Sequence, residues 1–235
     1  MFGVTESIWT RKLKTSPARE TLTREQIVRT ALETLDAEGL AGLSMRKLAA
    51  KLGSGATSLY WHVPTKDDLI DLLIDEVWGE IDIPEPELAG WRSGTLLYAH
   101  SMRSTIMRHP WLPEVMYTRP SMGPNAMTMG TRGLALIAAA GITGRNADFA
   151  LGTVMSFVLG SAGGEVATRE MARRAGQSID QLATAVLEST QHLGDTTMQE
   201  SARRRATGDI DGMFYDSFTY GLEIVLEGIA ARIKN

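Results

Sequence analysis

Three short helical segments, each with its own start and stop signals, constrain the fold of this chain more than any other feature. The first opens with Thr23 and has Gln26 three residues later, a capping box in which side chains and backbone amides satisfy one another. The second begins at Ser44, a good N-cap, and ends about two turns later at Gly53. The third is short because Pro64 stops it. This stretch is therefore predicted to be helical.

The second and third segments form a helix-turn-helix unit, because a glycine turn joins two short helices. The second helix of such a unit can enter the major groove of DNA. Here it opens with Ala56, Thr57 and Ser58, whose small size lets the backbone approach base edges and whose two hydroxyls can contact bases or phosphates. The pattern therefore predicts a DNA-reading helix that begins at Ala56.

Three aromatic side chains, Tyr60, Trp61 and His62, end the third segment. Aromatic residues on a short helix more often pack in a core than face a partner. Three successive positions, however, point around most of a helix, so they cannot all face one core. We therefore expect at least one of these side chains to be exposed and to be suited to phosphate contact.

Charge is distributed unevenly along the chain. The formal net charge is −4, yet residues 1–66 carry ten Lys or Arg and six Asp or Glu, whereas residues 67–235 carry fourteen and twenty-two. A basic first part beside an acidic remainder suggests that only the first part faces an anionic polymer, although ordinary solvated surface charge explains the same excess. The positive side chains near the predicted reading helix are Arg46, Lys47 and Lys66.

The sequence lacks the groups that most enzyme and metal sites need. It contains no cysteine, which excludes a disulfide framework, a thiolate nucleophile, an iron–sulfur cluster and a zinc site with sulfur ligands. A glycine-rich phosphate loop, histidines at metal-binding spacing and a serine elbow are also absent. We therefore expect no enzymatic activity, no catalytic or metal-binding residue and no cofactor.

Neither a secretory signal nor a membrane-spanning segment is evident in the sequence. The first twenty residues lack an apolar core with a cleavage site, and no apolar run approaches the ~18 residues that a membrane span needs. We therefore expect a cytoplasmic protein without a membrane partner. The same opening residues are expected to form a flexible arm.

A helix is predicted over residues 88–109, and its inner face mixes polar with apolar side chains. Tyr, Met, Thr and His can line a cavity and orient a ligand, whereas a face made only for packing is usually Leu, Ile, Val and Ala. The twelve methionines suit an adaptable pocket, although ordinary core filling accounts for both observations equally well. The residues of this face are Trp91, Thr95, Tyr98, Met102, Thr105, Ile106 and His109.

Two later helices predict a dimer interface. After a helix over about residues 125–140, the segment 147–165 is apolar nearly all round, and the last helix, from about 209 to 233, has a broad apolar surface. Helices this apolar, in a chain that already has a core, suggest pairing with a second copy. The connection between the last two helices is polar, and we expect it to contain a single helix.

The segment from Thr23 to Leu73 resembles the DNA-binding domain of the TetR family of bacterial transcriptional repressors. Its string LYWHV, residues 59–63, is similar to that of the tetracycline repressor class within the family. The resemblance continues in Trp91, in the triplet Thr118–Pro120, in the helix through LGTVMSFVLG and in the final GLEIVLEGIAARI, so that it covers roughly residues 21–235.

This resemblance implies an all-α fold. An N-terminal three-helix helix-turn-helix DNA-binding domain, residues 21–81, would follow the arm of residues 1–20 and precede an α-helical ligand-binding and dimerisation domain, residues 82–235. A homodimer would place two recognition helices one or more DNA turns apart, ~34 to 36 Å per turn, on double-stranded, near-palindromic operator DNA. The expected function is that of a ligand-responsive repressor, released when a small hydrophobic or aromatic effector binds. An activator or an effector-independent DNA-binding protein of the same fold is the alternative.

Carried over by position, the resemblance assigns contacts to individual residues. Arg46 is expected to read a guanine base, while Tyr60, His62 and Lys66 mainly hold phosphates. The tetracycline repressor class holds its drug as a magnesium chelate through a histidine at the position of Val115, so neither tetracycline nor magnesium is inferred here. The DNA contacts are expected at Arg46, Lys47, Ala56, Thr57, Ser58, Tyr60, Trp61, His62 and Lys66. The effector contacts are expected at Tyr98, Met102, Val115, Met116, Arg119, Thr131, Met155 and Glu165.

Overall fold

The computed structural model describes residues 8–9, 22–190 and 196–233, and every regular element within them is an α-helix. The prediction of an all-α fold is therefore confirmed. The helices are α1 (Arg24–Gly42), α2 (Met45–Lys51), α3 (Ala56–His62), α4 (Lys66–Gly79), α5 (Pro86–Arg108), α6 (Leu112–Val115), α7 (Pro124–Ala138), α8 (Arg145–Arg174), α9 (Ile179–Thr190), α10 (Thr196–Ala206) and α11 (Ile210–Ile233).

The chain divides into two compact units after Ala139. The first contains α1 to α7 and the second contains α8 to α11. Ile8 is 5% exposed, and Trp9 lines a cleft together with Trp78 and Ser121, so these two residues of the predicted arm are packed. The rest of the arm lies outside the described residues, and the domain boundary expected after residue 81 stays a prediction.

The caps predicted for the front helices are confirmed. At the start of α1, Thr23 Oγ1 accepts the Gln26 amide N–H at 3.2 Å, and Gln26 Oε1 accepts the Thr23 amide N–H at 2.9 Å. Gly39 interrupts α1 with a φ of 67°, a left-handed conformation that glycine adopts without a steric penalty. Ser44 Oγ accepts the Lys47 amide N–H at 3.2 Å and starts α2. These local bonds explain why the starts of α1 and α2 were predictable from the sequence.

The front helices share a small apolar core. α1 packs against α2 and α4, and α2 packs against α3. Within α3 the single buried residue is Leu59, at 0% exposure, and it anchors the helix. Burying a leucine side chain contributes about 1.5–3 kcal/mol. One side chain therefore holds α3 in place and leaves its other faces available.

Helix α4 uses buried carboxylates to hold the start of α7. No side chain of α7's own N-terminal residues caps this helix. Instead Asp75, which is 4% exposed, accepts the Ala126 amide N–H at 2.9 Å and the Asn125 amide N–H at 3.3 Å. The side-chain amide of Asn125 donates back to the Asp75 carbonyl at 3.0 Å. The unpaired amides and the dipole at a helix N-terminus stabilise a carboxylate there. Asp75 therefore attaches the C-terminal part of α4 to the N-terminus of α7.

The second unit contains one more helix than we expected. α8 packs against α11 and α9, while α10 packs against α9 and α11. The prediction of a single helix in the polar connection is wrong, because both α9 and α10 form there. A capping box starts α9, in which Ser178 Oγ accepts the Gln181 amide N–H at 3.2 Å and Gln181 Oε1 accepts the Ser178 amide N–H at 2.8 Å. α10 has no buried residue, so its stabilisation comes from neighbouring helices rather than from an apolar stripe that the sequence reveals.

Helix α8 is longer than the apolar segment 147–165 that the sequence indicates. Among the described residues it is the one helix whose length and composition would allow it to cross a membrane, with a mean hydropathy of 1.3 over its most apolar 18-residue window. Of that window 39% is buried inside the fold. A core helix of a water-soluble protein has the same length and composition, and the packing of α8 on α11 accounts for the buried share.

The joint between α4 and α7 predicts an effect of Gly123→Ala. A Cβ atom at Gly123 would collide with the carboxylate of Asp75, so we expect a loss of about 2 kcal/mol in the free energy of unfolding, measured by urea denaturation. Gly130→Ala in α7 is the matched control, because a Cβ there meets nothing within 4 Å and alanine favours a helix by about 0.5–1 kcal/mol. Equal stability of the two variants would contradict the capping role of Asp75.

Candidate DNA-binding surface and effector site

The recognition helix α3 presents a polar and aromatic surface. Tyr60 is 46% exposed and Trp61 is 59% exposed, which confirms the expectation that at least one aromatic side chain faces outward. Exposed groups of this size on a helix anchored by one leucine are available to a partner. Of the other predicted contacts, Ala56, Thr57 and Ser58 are exposed and His62 is half-buried.

Two of the three predicted basic residues face outward without an internal role. Arg46 and Lys47 lie exposed in the first turn of α2, the first helix of the helix-turn-helix unit. Lys66 is also exposed, but its ammonium group donates to the backbone carbonyl of Leu43 at 2.9 Å. That bond joins the connection between α1 and α2 to the start of α4. Lys66 therefore holds the head together, in addition to any contact with phosphate.

Tyr98 is the most unusual of the residues predicted to contact an effector. Its side chain is 1% exposed on α5, and its hydroxyl has no hydrogen-bond partner among the described residues. Burial raises the pKa of Tyr98, so the hydroxyl stays protonated and is a donor as well as an acceptor. A buried polar group without a partner costs about 1–3 kcal/mol. Met102 lies one turn further along α5 and is equally buried.

Three of the predicted effector residues, Val115, Met116 and Arg119, lie at the end of α6 or just after it. Val115 is half-buried at the end of α6, and Met116 follows it and is buried. Arg119 is bound by two carboxylates of α4, because Nε and Nη2 contact Asp71, the latter at 3.1 Å, and Nη1 lies 3.2 Å from Asp67. The hydrogen bond to Asp71 is the main cause that raises the pKa of Arg119. Arg119 therefore links the segment after α6 to α4.

The remaining predicted effector residues are dispersed. Thr131 is exposed on α7, where its hydroxyl donates to the Met127 carbonyl at 2.9 Å. Met155 and Glu165 belong to the second unit, on α8. Met155 is half-buried, while the 4% exposed carboxylate of Glu165 accepts two bonds from Arg169, at 2.8 and 3.1 Å. The assignment of these residues to an effector site stays a prediction.

The sequence analysis missed the structural role of the α4 carboxylates. Asp67, Asp71 and Asp75 form a row at four-residue spacing on α4 that binds the segment from Arg119 to Ala126. The spacing was visible in the sequence as one face of a helix. Its partners were not, because they lie 48 to 52 residues further along the chain.

The geometry defines a helix-turn-helix DNA-binding protein whose reading helix is joined, through one buried helix, to further α-helices. Two family models agree with this class. The model described as "Bacterial regulatory proteins, tetR family" matches residues 27–73, and the model described as "Tetracyclin repressor-like, C-terminal domain" matches residues 83–233. The chain belongs to the TetR family. Members of this family are DNA-binding transcriptional regulators rather than enzymes, in agreement with the prediction from the sequence.

Several relatives match most of the chain. An HTH-type transcriptional regulator of Saccharopolyspora erythraea is 42% identical over 69% of this chain and 69% of its own length. The HTH-type transcriptional repressor DrrR1 of Streptomyces coeruleorubidus is 34% identical over 92% of this chain and 80% of its own length. The crystal structure of ActR from Streptomyces coelicolor, in complex with actinorhodin, is 32% identical, with a TM-score of 0.75, and it covers 92% of this chain and 100% of ActR. The names of these relatives and the ligand bound to ActR support a ligand-responsive DNA-binding repressor.

The exposure of Arg46 generates a prediction for DNA recognition. Arg46→Ala should weaken binding to the specific operator by about 10- to 100-fold and binding to random DNA much less, because a guanidinium bidentate to guanine discriminates between bases. Lys47→Ala is the comparison, since loss of a phosphate contact weakens both kinds of DNA similarly. Fluorescence anisotropy with both DNAs at one salt concentration measures the effects. An equal loss on both DNAs for Arg46→Ala would refute the base-reading role.

Proposed function

We propose that this chain acts in the cytoplasm as a homodimeric repressor that leaves a near-palindromic operator when a hydrophobic or aromatic small molecule binds among its C-terminal helices. The naming of DrrR1 as a repressor and the binding of actinorhodin by ActR support the proposal. The observation that carries it furthest is the hydroxyl of the buried Tyr98, which has no hydrogen-bond partner in the part of the chain that the structure describes.

An effector would supply the hydrogen bond that Tyr98 lacks. Buried polar groups are almost always satisfied in folded proteins, and each exception calls for a partner. The neighbouring Met102 has a flexible thioether that adapts to flat or irregular apolar groups. Because Val115 occupies the position of the chelating histidine in the tetracycline repressor class, we propose an effector held without a metal. The proposed contacts are Tyr98, Met102, Val115, Met116, Arg119, Thr131, Met155 and Glu165.

Helix α4 is the proposed connection between effector and DNA. Three residues, 63–65, separate it from α3, and the last of them, Thr65, is its N-cap, so a shift of α4 displaces the recognition helix. Two carboxylates of α4 hold other parts of the chain, because Asp71 binds Arg119 and Asp75 caps α7. An effector that competes for Arg119 or moves the start of α7 would therefore shift α4. By linkage, operator DNA must weaken effector binding by the same factor.

The second copy would pack on α8 and α11. Small residues recur every four positions on the exposed side of α8, and a Cβ atom added at Gly152, Gly160 or Gly164 would meet nothing within 4 Å. On α11, Tyr220 is 70% exposed and Ile224 is 53% exposed. Small residues let a facing helix approach closely, and exposed apolar side chains gain from burial. The two faces together suit a symmetric four-helix contact with the same helices of the partner.

Tyr98→Phe tests the effector site. Removing an unpartnered hydroxyl should leave the melting temperature of the free protein unchanged or raise it, because no hydrogen bond is lost. The same change should reduce the thermal stabilisation by aromatic compounds, in a melting-shift screen of polycyclic aromatics that begins with actinorhodin.

The control is Tyr117→Phe, because Tyr117 is 69% exposed in the segment after α6. Full stabilisation of Tyr98→Phe by a compound that also stabilises the wild type would remove Tyr98 from the site. A compound that stabilises the wild type without releasing it from its operator would favour the effector-independent alternative.

Ile224→Arg tests the dimer. A guanidinium at the proposed contact would have to be buried unpaired against the second copy, so we expect a monomer at micromolar concentration and a loss of operator binding of at least tenfold. Val186→Arg on α9 is the control, because Val186 is exposed to a similar degree, 50%, outside the proposed face. Analytical ultracentrifugation measures the mass. A dimeric Ile224→Arg protein with wild-type operator affinity would exclude this interface.

A further inference from the structure

Two residues near the start of the chain pack against the joint between α4 and α7. Ile8 is 5% exposed, and Trp9 is half-buried. Trp9 lines a narrow cleft whose other walls are α4 and residues 120–123, the segment that leads into α7. A part of the chain that the sequence predicts to be a flexible arm therefore reaches the helix that follows the recognition helix.

The walls of this cleft are the groups that make the joint. Asp75 accepts the Ala126 amide N–H, and the indole N–H of Trp78 donates to Ser121 Oγ at 3.3 Å. A Cβ atom at Gly123 would collide with the Asp75 carboxylate, so the two walls are in close contact. The indole of Trp9 lies beside both parts of the chain that these contacts connect.

The cleft is nearly filled. Its volume is about 10 Å³, which leaves room for a single water molecule at most. Pockets for drug-sized ligands measure about 300–1,000 Å³, so the cleft is not an effector pocket. Asp71 and Asp75, which line it, are both buried. Exclusion of water strengthens the hydrogen bonds that these carboxylates make.

Apolar packing adds to this effect. Ile74 and Trp78 of α4 are buried and line the same cleft as Trp9. A movement of α4 away from residues 120–123 would expose these apolar side chains to water, which is unfavourable. The packed indole therefore opposes the same movement that the hydrogen bonds of Asp75 oppose.

We propose that Ile8 and Trp9 form a strap that holds α4 against residues 120–123, and that Trp9 is thereby a positioning residue for operator binding. Because α4 follows the recognition helix closely, a looser α4 leaves α3 less ordered. DNA binding must then order α3, and the affinity falls. The effect on DNA rests on the role of α4 in the proposed function, whereas the strap is a property of the protein alone.

Hydrogen exchange of the full chain, followed by mass spectrometry, tests the strap without DNA. Trp9→Ala should speed exchange in the peptide over residues 120–127 by about tenfold, because the amide bonds to Asp75 open more often. Trp9→Phe keeps a ring in the cleft and should exchange nearly as the wild type does. Trp61→Ala makes the same change on the exposed face of α3 and should leave this peptide unaffected.

Two further results decide the interpretation of the exchange data. Peptides from α9, in the second unit, should exchange in Trp9→Ala as they do in the wild type, which shows that the effect is local. If Trp9→Ala does not fold, Trp9→Leu replaces it, since leucine keeps an apolar group but does not fill the space of the indole. Unchanged exchange over residues 120–127 in the folded variant would overturn the strap.

Operator binding, measured by fluorescence anisotropy, tests the positioning role. Trp9→Ala should weaken operator binding by about 3- to 10-fold, and Trp9→Phe should stay within about twofold of the wild type. In an Asp75→Asn background the joint is already loosened, so Trp9→Ala should change the affinity by less than about twofold. A direct contact between the arm and phosphates would produce the same loss in both backgrounds and would overturn the positioning role.

The remaining outcomes separate the possible failures. If Asp75→Asn does not fold, Gly123→Ala replaces it, because its Cβ atom disturbs the same carboxylate. Wild-type operator affinity in Trp9→Ala would also overturn the positioning role. A wild type that binds no DNA specifically would instead refute the proposed function, while hydrogen exchange still decides whether the strap exists.

Discussion

The pairing of buried carboxylates on α4 is the interaction on which the rest of the first unit depends. Removing a carboxylate from water costs several kcal/mol, and only a well-placed partner offsets the cost. Asp71 finds that partner in Arg119, and Asp75 finds it in the amides at the start of α7. Each carboxylate is satisfied in one arrangement of the helices. Sliding α4 past its neighbours would leave charges buried and unpaired, so α4 moves together with the segment it holds.

Much of the head was predictable because its signals are local. The bonds made by Thr23, Gln26 and Ser44 span three residues, and the sequence shows both partners at once. The expectation that at least one of Tyr60, Trp61 and His62 is exposed also followed from helical geometry, and Tyr60 and Trp61 fulfil it. What the sequence could not show were partners far apart in the chain. The carboxylate of Asp36, for example, meets the ring of His109 73 residues later.

The second unit was less predictable for a related reason. α10 has a polar sequence and no buried residue, so its helical state depends on α9 and α11 beside it. The polar composition predicted a connection without a helix at α10, but packing against its neighbours makes the segment helical. The predicted effector residues raise the same difficulty. Residue type alone suggested Tyr98 and Arg119 equally as effector contacts. Within the described residues the hydroxyl of Tyr98 has no hydrogen-bond partner, whereas the guanidinium of Arg119 is already bound by Asp67 and Asp71.

The anchoring of α3 by Leu59 alone has a consequence for the evolution of such regulators. Stability of the head depends on one position of the recognition helix, so substitutions at the others change the DNA surface at little cost in folding. Operator preference can therefore drift among descendants while the scaffold stays intact. A gene duplicate could acquire a separate set of target promoters without passing through an unfolded intermediate.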